Sequence, residues 1–146
     1  MIQRIQSIFL LLSSAAGFGV LALPFAISGE GVQSSTLFSD KAYTTGDNIG
    51  LLVLFAVAGA LSLAAIFLYG NRQLQLKIGR AALAANILGI VLASFLFWQD
   101  FSNVSTNGVG VGYGLYLPAL FVLFTGLALR AIKKDEALVR SADRLR

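Results

Sequence analysis

The stretch IGLLVLFAVAGALSLAAIFLYG, residues 49–70, runs for more than five helical turns without a charged side chain. At about 1.5 Å rise per residue a helix of this length covers about 33 Å, enough to cross a hydrocarbon core of about 30 Å. Working outward, three further stretches have the same character: residues 7–27, 78–98 and 113–131. Charges enter them only at their ends, as Arg80 and Arg130. The pattern predicts an all-α membrane protein of four transmembrane helices, a single domain over residues 1–146.

Composition leads to the same class. The chain is 57% apolar and 12% charged, and a soluble domain of 146 residues could not hide that much apolar side chain beneath so little polar surface. The segments joining the stretches are about 21, 7 and 14 residues long and the tail, 132–146, is about 15, too short for a separate soluble domain. No cysteine or histidine is present, which removes disulfides, thiolate metal sites, the commonest metal ligand and the neutral-pH proton shuttle. No paired carboxylates and no nucleophile–base pair are evident either. The expectation is a non-catalytic protein with no cofactor and no metal.

Charge sets the expected orientation. Of the eleven basic residues, Arg4, Arg72, Lys77, Arg80, Arg130, Lys133, Lys134, Arg140, Arg144 and Arg146 fall on the side of the four spans that holds both termini; Lys41 alone falls on the other. The positive-inside rule then places both termini in the cytoplasm. The net charge of +4 is read as this topology signal: the partners expected for these cations are anionic lipid headgroups on the cytoplasmic side, not nucleic acid. Arg4 followed by an apolar run also resembles the start of a signal peptide, but the run continues through Val20, Leu23, Phe25 and Ile27, longer than a cleaved h-region. It is expected to stay as the first span, with Pro24 tolerated in its last turns.

Within the spans, small residues recur at every fourth position: Ala56, Ala60 and Ala64 in the second, and Ala81, Ala85, Gly89 and Ala93 in the third. Small side chains on one face let two helices approach closely, so these rows are the candidate helix-packing residues of an antiparallel hairpin. The polar side chains inside the spans are Ser13, Ser14, Ser62, Asn86, Ser94 and Thr125. Asn86 is the most polar, and its expected role is to bond a neighbouring helix or carbonyl. No ionisable group lies near the middle of a span, which argues against an ion-coupled carrier.

The two outer loops, residues 28–47 and 101–114, carry β-prone residues among glycines and can supply short strands of a small outer β element. The run Gly108-Val-Gly-Val-Gly-Tyr-Gly114 is not read as a phosphate loop, because no Lys and Ser/Thr follow it. Asn103-Val104-Ser105 matches a glycosylation sequon. In the tail, Ala131, Leu138, Ala142 and Leu145 recur at helical spacing and Glu136 precedes Arg140 by four, which predicts an amphipathic helix continuing from the fourth span and resting on the membrane surface.

The segments MIQRIQ (1–6), NRQLQLK (71–77) and RAIKKDEALVRSADRLR (130–146) closely resemble those of a family of small four-span bacterial membrane proteins, domain of unknown function 4293, and the resemblance covers the full length. It implies a multi-pass protein of the bacterial inner membrane and brings no activity, ligand or catalytic residue. The functional expectation is an accessory or assembly subunit of a larger membrane complex, partnered by other membrane protein subunits. The candidate partner-binding residues are Gln3, Arg4, Arg72, Gln73, Lys133, Lys134, Asp135, Glu136, Arg140 and Arg144, because the unusual side chains gather on that one aqueous face. The alternative is a small transporter or lipid-handling protein acting as an oligomer.

Overall fold

In a computed structural model, which describes residues 2–29, 35–100 and 108–143, the chain forms four helices long and apolar enough to cross a membrane. The protein is a multi-pass membrane protein. Helix α1 spans Ile2–Ala22, α2 Ile49–Phe67, α3 Arg72–Asp100 and α4 Leu117–Asp143, with strands β1 (Ala26–Ser28), β2 (Ala42–Tyr43) and β3 (Val109–Val111) between them. The helices run up and down in a ring: α1 packs on α2 and α4, and α3 packs on α2 and α4. The first described residue, Ile2, and the last, Asp143, lie at one end of the bundle, the termini end. The strands cap the other, the sheet end.

Local chemistry sets these boundaries. The first helix stops at Ala22, short of the expected residue 27, because Pro24 disfavours helical backbone in the residue before it. The chain then turns into β1, the centre of an antiparallel sheet ordered β2-β1-β3, in which Ala26 lies opposite both Tyr43 and Val111. Each outer loop thus supplies one strand of a small sheet, and its central strand comes from the end of the expected first span. Ahead of α2, Thr44 and Asp47 form a capping box around a short 3-10 turn, and the Asn48 side chain then accepts from Gly50 N at 2.8 Å to start the helix. Asp47 is pushed up from the ordinary carboxylate range by burial, a shift partly offset by its hydrogen bonds from Thr44. Asn71 Oδ1 accepts from Leu74 N at 3.1 Å and begins α3 six residues ahead of the expected span, so Arg72, Lys77 and Arg80 occupy its first turns. Tyr113–Leu115 form a 3-10 turn, and the fourth helix therefore starts at Leu117, with Pro118 in its first turn where no intrahelical N–H is lost.

Three apolar clusters stack along the bundle. Leu10, Ala65, Leu76 and Ile132 fill the termini end; Ala16, Ala58, Ala82 and Phe121 fill the middle; Val20, Phe25, Phe38, Tyr43, Leu51 and Phe55 fill the sheet end. In the middle a hydroxyl cluster joins three helices. Ser13 Oγ lies 2.6 Å from Thr125 Oγ1 and 2.9 Å from Ser62 Oγ, which also donates to the Leu10 carbonyl at 3.1 Å. The ring is closed between α3 and α4 by Asn86 Nδ2 donating to the Pro118 carbonyl at 3.2 Å, the bond to a neighbouring carbonyl expected of Asn86. Large apolar side chains such as Leu11, Val57, Leu63, Leu88, Val91 and Leu123 face outward, as they must where the surroundings are lipid.

The packing rows differ from the expected ones. Ala60, Ala64 and Ala81 are exposed and Ala56, Ala85 and Ala93 half-buried; only Gly89 is fully inside. With 3.6 residues per turn, each step of four overshoots a full turn by about 40°, so a strict four-residue row winds off any straight seam. The true seam of α2 is Leu51, Phe55, Ala58, Ser62 and Ala65, and that of α3 is Gln75, Gly79, Ala82, Asn86 and Gly89. Both alternate steps of three and four. A close backbone contact lies outside both expected rows: a Cβ on Gly17 would stand 2.9 Å from the Gly59 Cα, so α1 and α2 meet backbone to backbone.

Candidate functional site

At the termini end the distinctive polar residues are used largely within the chain. Arg72 Nε lies 3.0 Å from Asp135 Oδ2, pairing the start of α3 with the far part of α4. Gln6 donates to the Ala131 carbonyl at 3.2 Å and Gln75 to the Ala65 carbonyl at 2.9 Å, so both buried glutamines serve as interhelical ties. What remains outward is a shallow polar groove between the α2–α3 turn and α4, lined by Tyr69, Asn71, Arg72, Gln73 and Glu136, with Lys133 and Lys134 exposed beside it. Helix α4 is unbroken through Asp143. At about 40 Å it is longer than a hydrocarbon core of about 30 Å. Its apolar Leu138 and Val139 are exposed.

The sheet end holds a different feature, an apolar cleft of about 550 Å³ between α3 and α4 beneath the sheet. Its floor is Phe25, Tyr43, Phe55 and Pro118, all buried; its sides are Ile90, Ala93 and Phe97 of α3 and Ala119 of α4; its roof is Ala26 with Val109–Val111. The aromatic floor is internally packed, with Phe25 5.2 Å from Tyr43 and 5.9 Å from Phe55 between ring centroids. Tyr43 is the one floor residue with a polar tip, and its hydroxyl donates to the Ala93 carbonyl at 2.9 Å. Burial, with the Asp47 charge adding to it, pushes the Tyr43 hydroxyl well above the ordinary phenol range. It therefore stays protonated and remains a donor at any physiological pH.

Residues 2–145 match the family described as Domain of unknown function (DUF4293). The chain belongs to that family. No curated protein and no solved structure matches it.

In this DUF4293 chain the expected partner-binding residues separate into three groups. Arg72 and Asp135 are brought together, but with each other. Gln73, Lys133 and Lys134 are exposed, and half-buried Glu136 lines the polar groove. The side chains of Gln3, Arg4 and Arg140 lie outside the described ones, and Arg144 and the Asn103–Ser105 sequon lie outside the described residues. Sequence reasoning missed the cleft entirely, since its walls come from six separate elements, β1, β2, β3, α2, α3 and α4. The available signal was the aromatic content flanking the outer loops, with Phe25 after Pro24 and Tyr43 before the Thr44–Asp47 box.

Proposed function

We propose that the protein is a non-catalytic integral protein of the bacterial inner membrane, with both termini cytoplasmic, that serves as an accessory or assembly subunit of a larger membrane complex. The supporting observation is the projecting end of α4: Lys133, Lys134, Leu138 and Val139 are exposed, while Arg72–Asp135 and Gln6–Ala131 hold the helix in place beneath them. A rigid helix presenting cations beside apolar side chains suits an acidic, partly apolar partner surface, and the same cations suit anionic headgroups nearby. Truncation after Glu136 keeps the Arg72–Asp135 pair and removes only the projecting turns. In mild detergent the intact protein is expected to purify in a stoichiometric hetero-complex that is lost both on that truncation and in the Lys133→Glu, Lys134→Glu variant, with thermal stability unchanged. Recovery of the intact protein alone, or only with itself, sinks this reading.

Orientation is tested separately. Reporter fusions after Arg72 and after Arg146 are expected to report cytoplasm and one at Thr44 the opposite side, given the ten-to-one division of basic residues. A cytoplasmic signal at Thr44 overturns the arrangement. A second reading, a small transporter or lipid-handling protein working as an oligomer, is favoured by one observation, the apolar cleft at the sheet end.

A further inference from the structure

We propose that this cleft is a binding site for one acyl chain of a bilayer phospholipid, taken from the leaflet on the sheet side. Burial shows which way it opens. Its floor residues are buried, whereas Ser94 of α3, Ala119 of α4, Leu115 and Val111 are exposed, so the mouth lies between two membrane-spanning helices and faces the lipid. Depth agrees. Trp98, Tyr113 and Tyr116 are strongly exposed at the sheet end, the placement of an interfacial aromatic belt. Ser94 and Ile90 stand one and two helical turns further in, about 6 and 12 Å below Trp98. A headgroup at the level of the two tyrosines would deliver the first part of its acyl chain to the mouth.

The chemistry of the walls selects hydrocarbon. The Tyr43 hydroxyl is spent on the Ala93 carbonyl and Ser94 Oγ on the Ile90 carbonyl, while Phe25 N and O are taken by Tyr43 O and Gly112 N. A polar guest would lose its water there and, among the described lining side chains, find no free hydrogen-bond donor. Shape selects a chain over a helix. The Asn86–Pro118 bond holds α3 to α4 immediately below the cleft, and a helix about 10 Å across could enter only by parting them. The size, about 550 Å³, lies in the ordinary range of ligand pockets.

This proposal deepens the lipid-handling reading and is separate from docking at the end of α4. It is tested by occupancy, which can succeed where a transport assay fails. The full chain is reconstituted in vesicles of phosphatidylethanolamine and phosphatidylglycerol doped with a phospholipid carrying a diazirine midway along one acyl chain, then irradiated and mapped by mass spectrometry. Labels are expected on the shielded residues Phe55 and Phe97, together with those on outward-facing Leu88 and Val91. Ala119→Trp, at the mouth, is expected to lower the Phe55 and Phe97 labels about tenfold and leave those at Leu88 and Val91 unchanged; Ser94→Phe gives the same result from the opposite wall. Labelling confined to outward-facing residues, floor labels indifferent to both substitutions, or cross-links joining the mouth to a second copy or to another protein in place of lipid would each overturn it.

Discussion

Leucine at Gly17 is expected to separate α1 from α2 and to destabilise the protein by about 3 kcal/mol or more, the upper end of overpacking effects. The site has no room to yield. A Cβ there would stand 2.9 Å from the Gly59 Cα, 3.2 Å from the Gly59 nitrogen and 3.1 Å from the Phe121 ring. Backbone cannot rotate aside as a side chain can. Gly89→Leu meets ring atoms of Phe55 at 2.9–3.2 Å, a side-chain obstacle that can shift, so its cost is expected at about 1–3 kcal/mol. Ala60→Leu faces outward and is expected to change stability by less than about 0.5 kcal/mol. Thermal unfolding of the three variants in one detergent checks the order; if Gly17→Leu unfolds at the temperature of Ala60→Leu, α1 and α2 do not meet at these glycines.

That order also marks where the sequence was legible. Uncharged runs long enough to span hydrocarbon need no tertiary information, which is why the four helices could be read from stretches such as residues 49–70. A small residue is different, because it leaves room for a neighbour without saying which neighbour arrives. Ala60 and Gly59 are adjacent in the chain, yet one faces outward and the other sits against α1. Arg72 and Asp135 looked like surplus polarity for an outside partner, and their distance shows a tie between helices, as do the bonds of Gln6 and Gln75. The cleft escaped for the same reason: Phe25, Tyr43, Phe97 and Val109 carry no common period and converge only once Pro24 has turned the chain into β1.

The glycines of the second outer loop carry the second large effect. Gly112→Ala and Gly114→Ala are each expected to unseat the sheet and lower stability by about 3–5 kcal/mol, at the exceptional end for a single added methyl. A Cβ on Gly112 would overlap the Pro24 carbonyl oxygen, and one on Gly114 would overlap the Leu23 carbonyl oxygen. These glycines are the points where the chain entering α4 runs hard against the chain leaving α1. Their own N–H groups hold that contact, Gly112 donating to the Phe25 carbonyl and Gly114 to the Pro24 carbonyl, both at 2.9 Å. Moving either residue out far enough to admit a methyl breaks the bond it makes and leaves carbonyls at the end of α1 unpaired. Gly110 is the internal control. It sits in β3, where a Cβ would be 3.7 Å from the Ile27 carbonyl oxygen, so Gly110→Ala is expected to be neutral within about 0.5 kcal/mol. The alternation of glycine with larger residues over 108–114 thus answers to close backbone approach at Gly112 and Gly114. Thermal unfolding in detergent separates the cases: equal midpoints for Gly110→Ala and Gly112→Ala would mean that the chain at Gly112 does not run against Pro24 and Phe25.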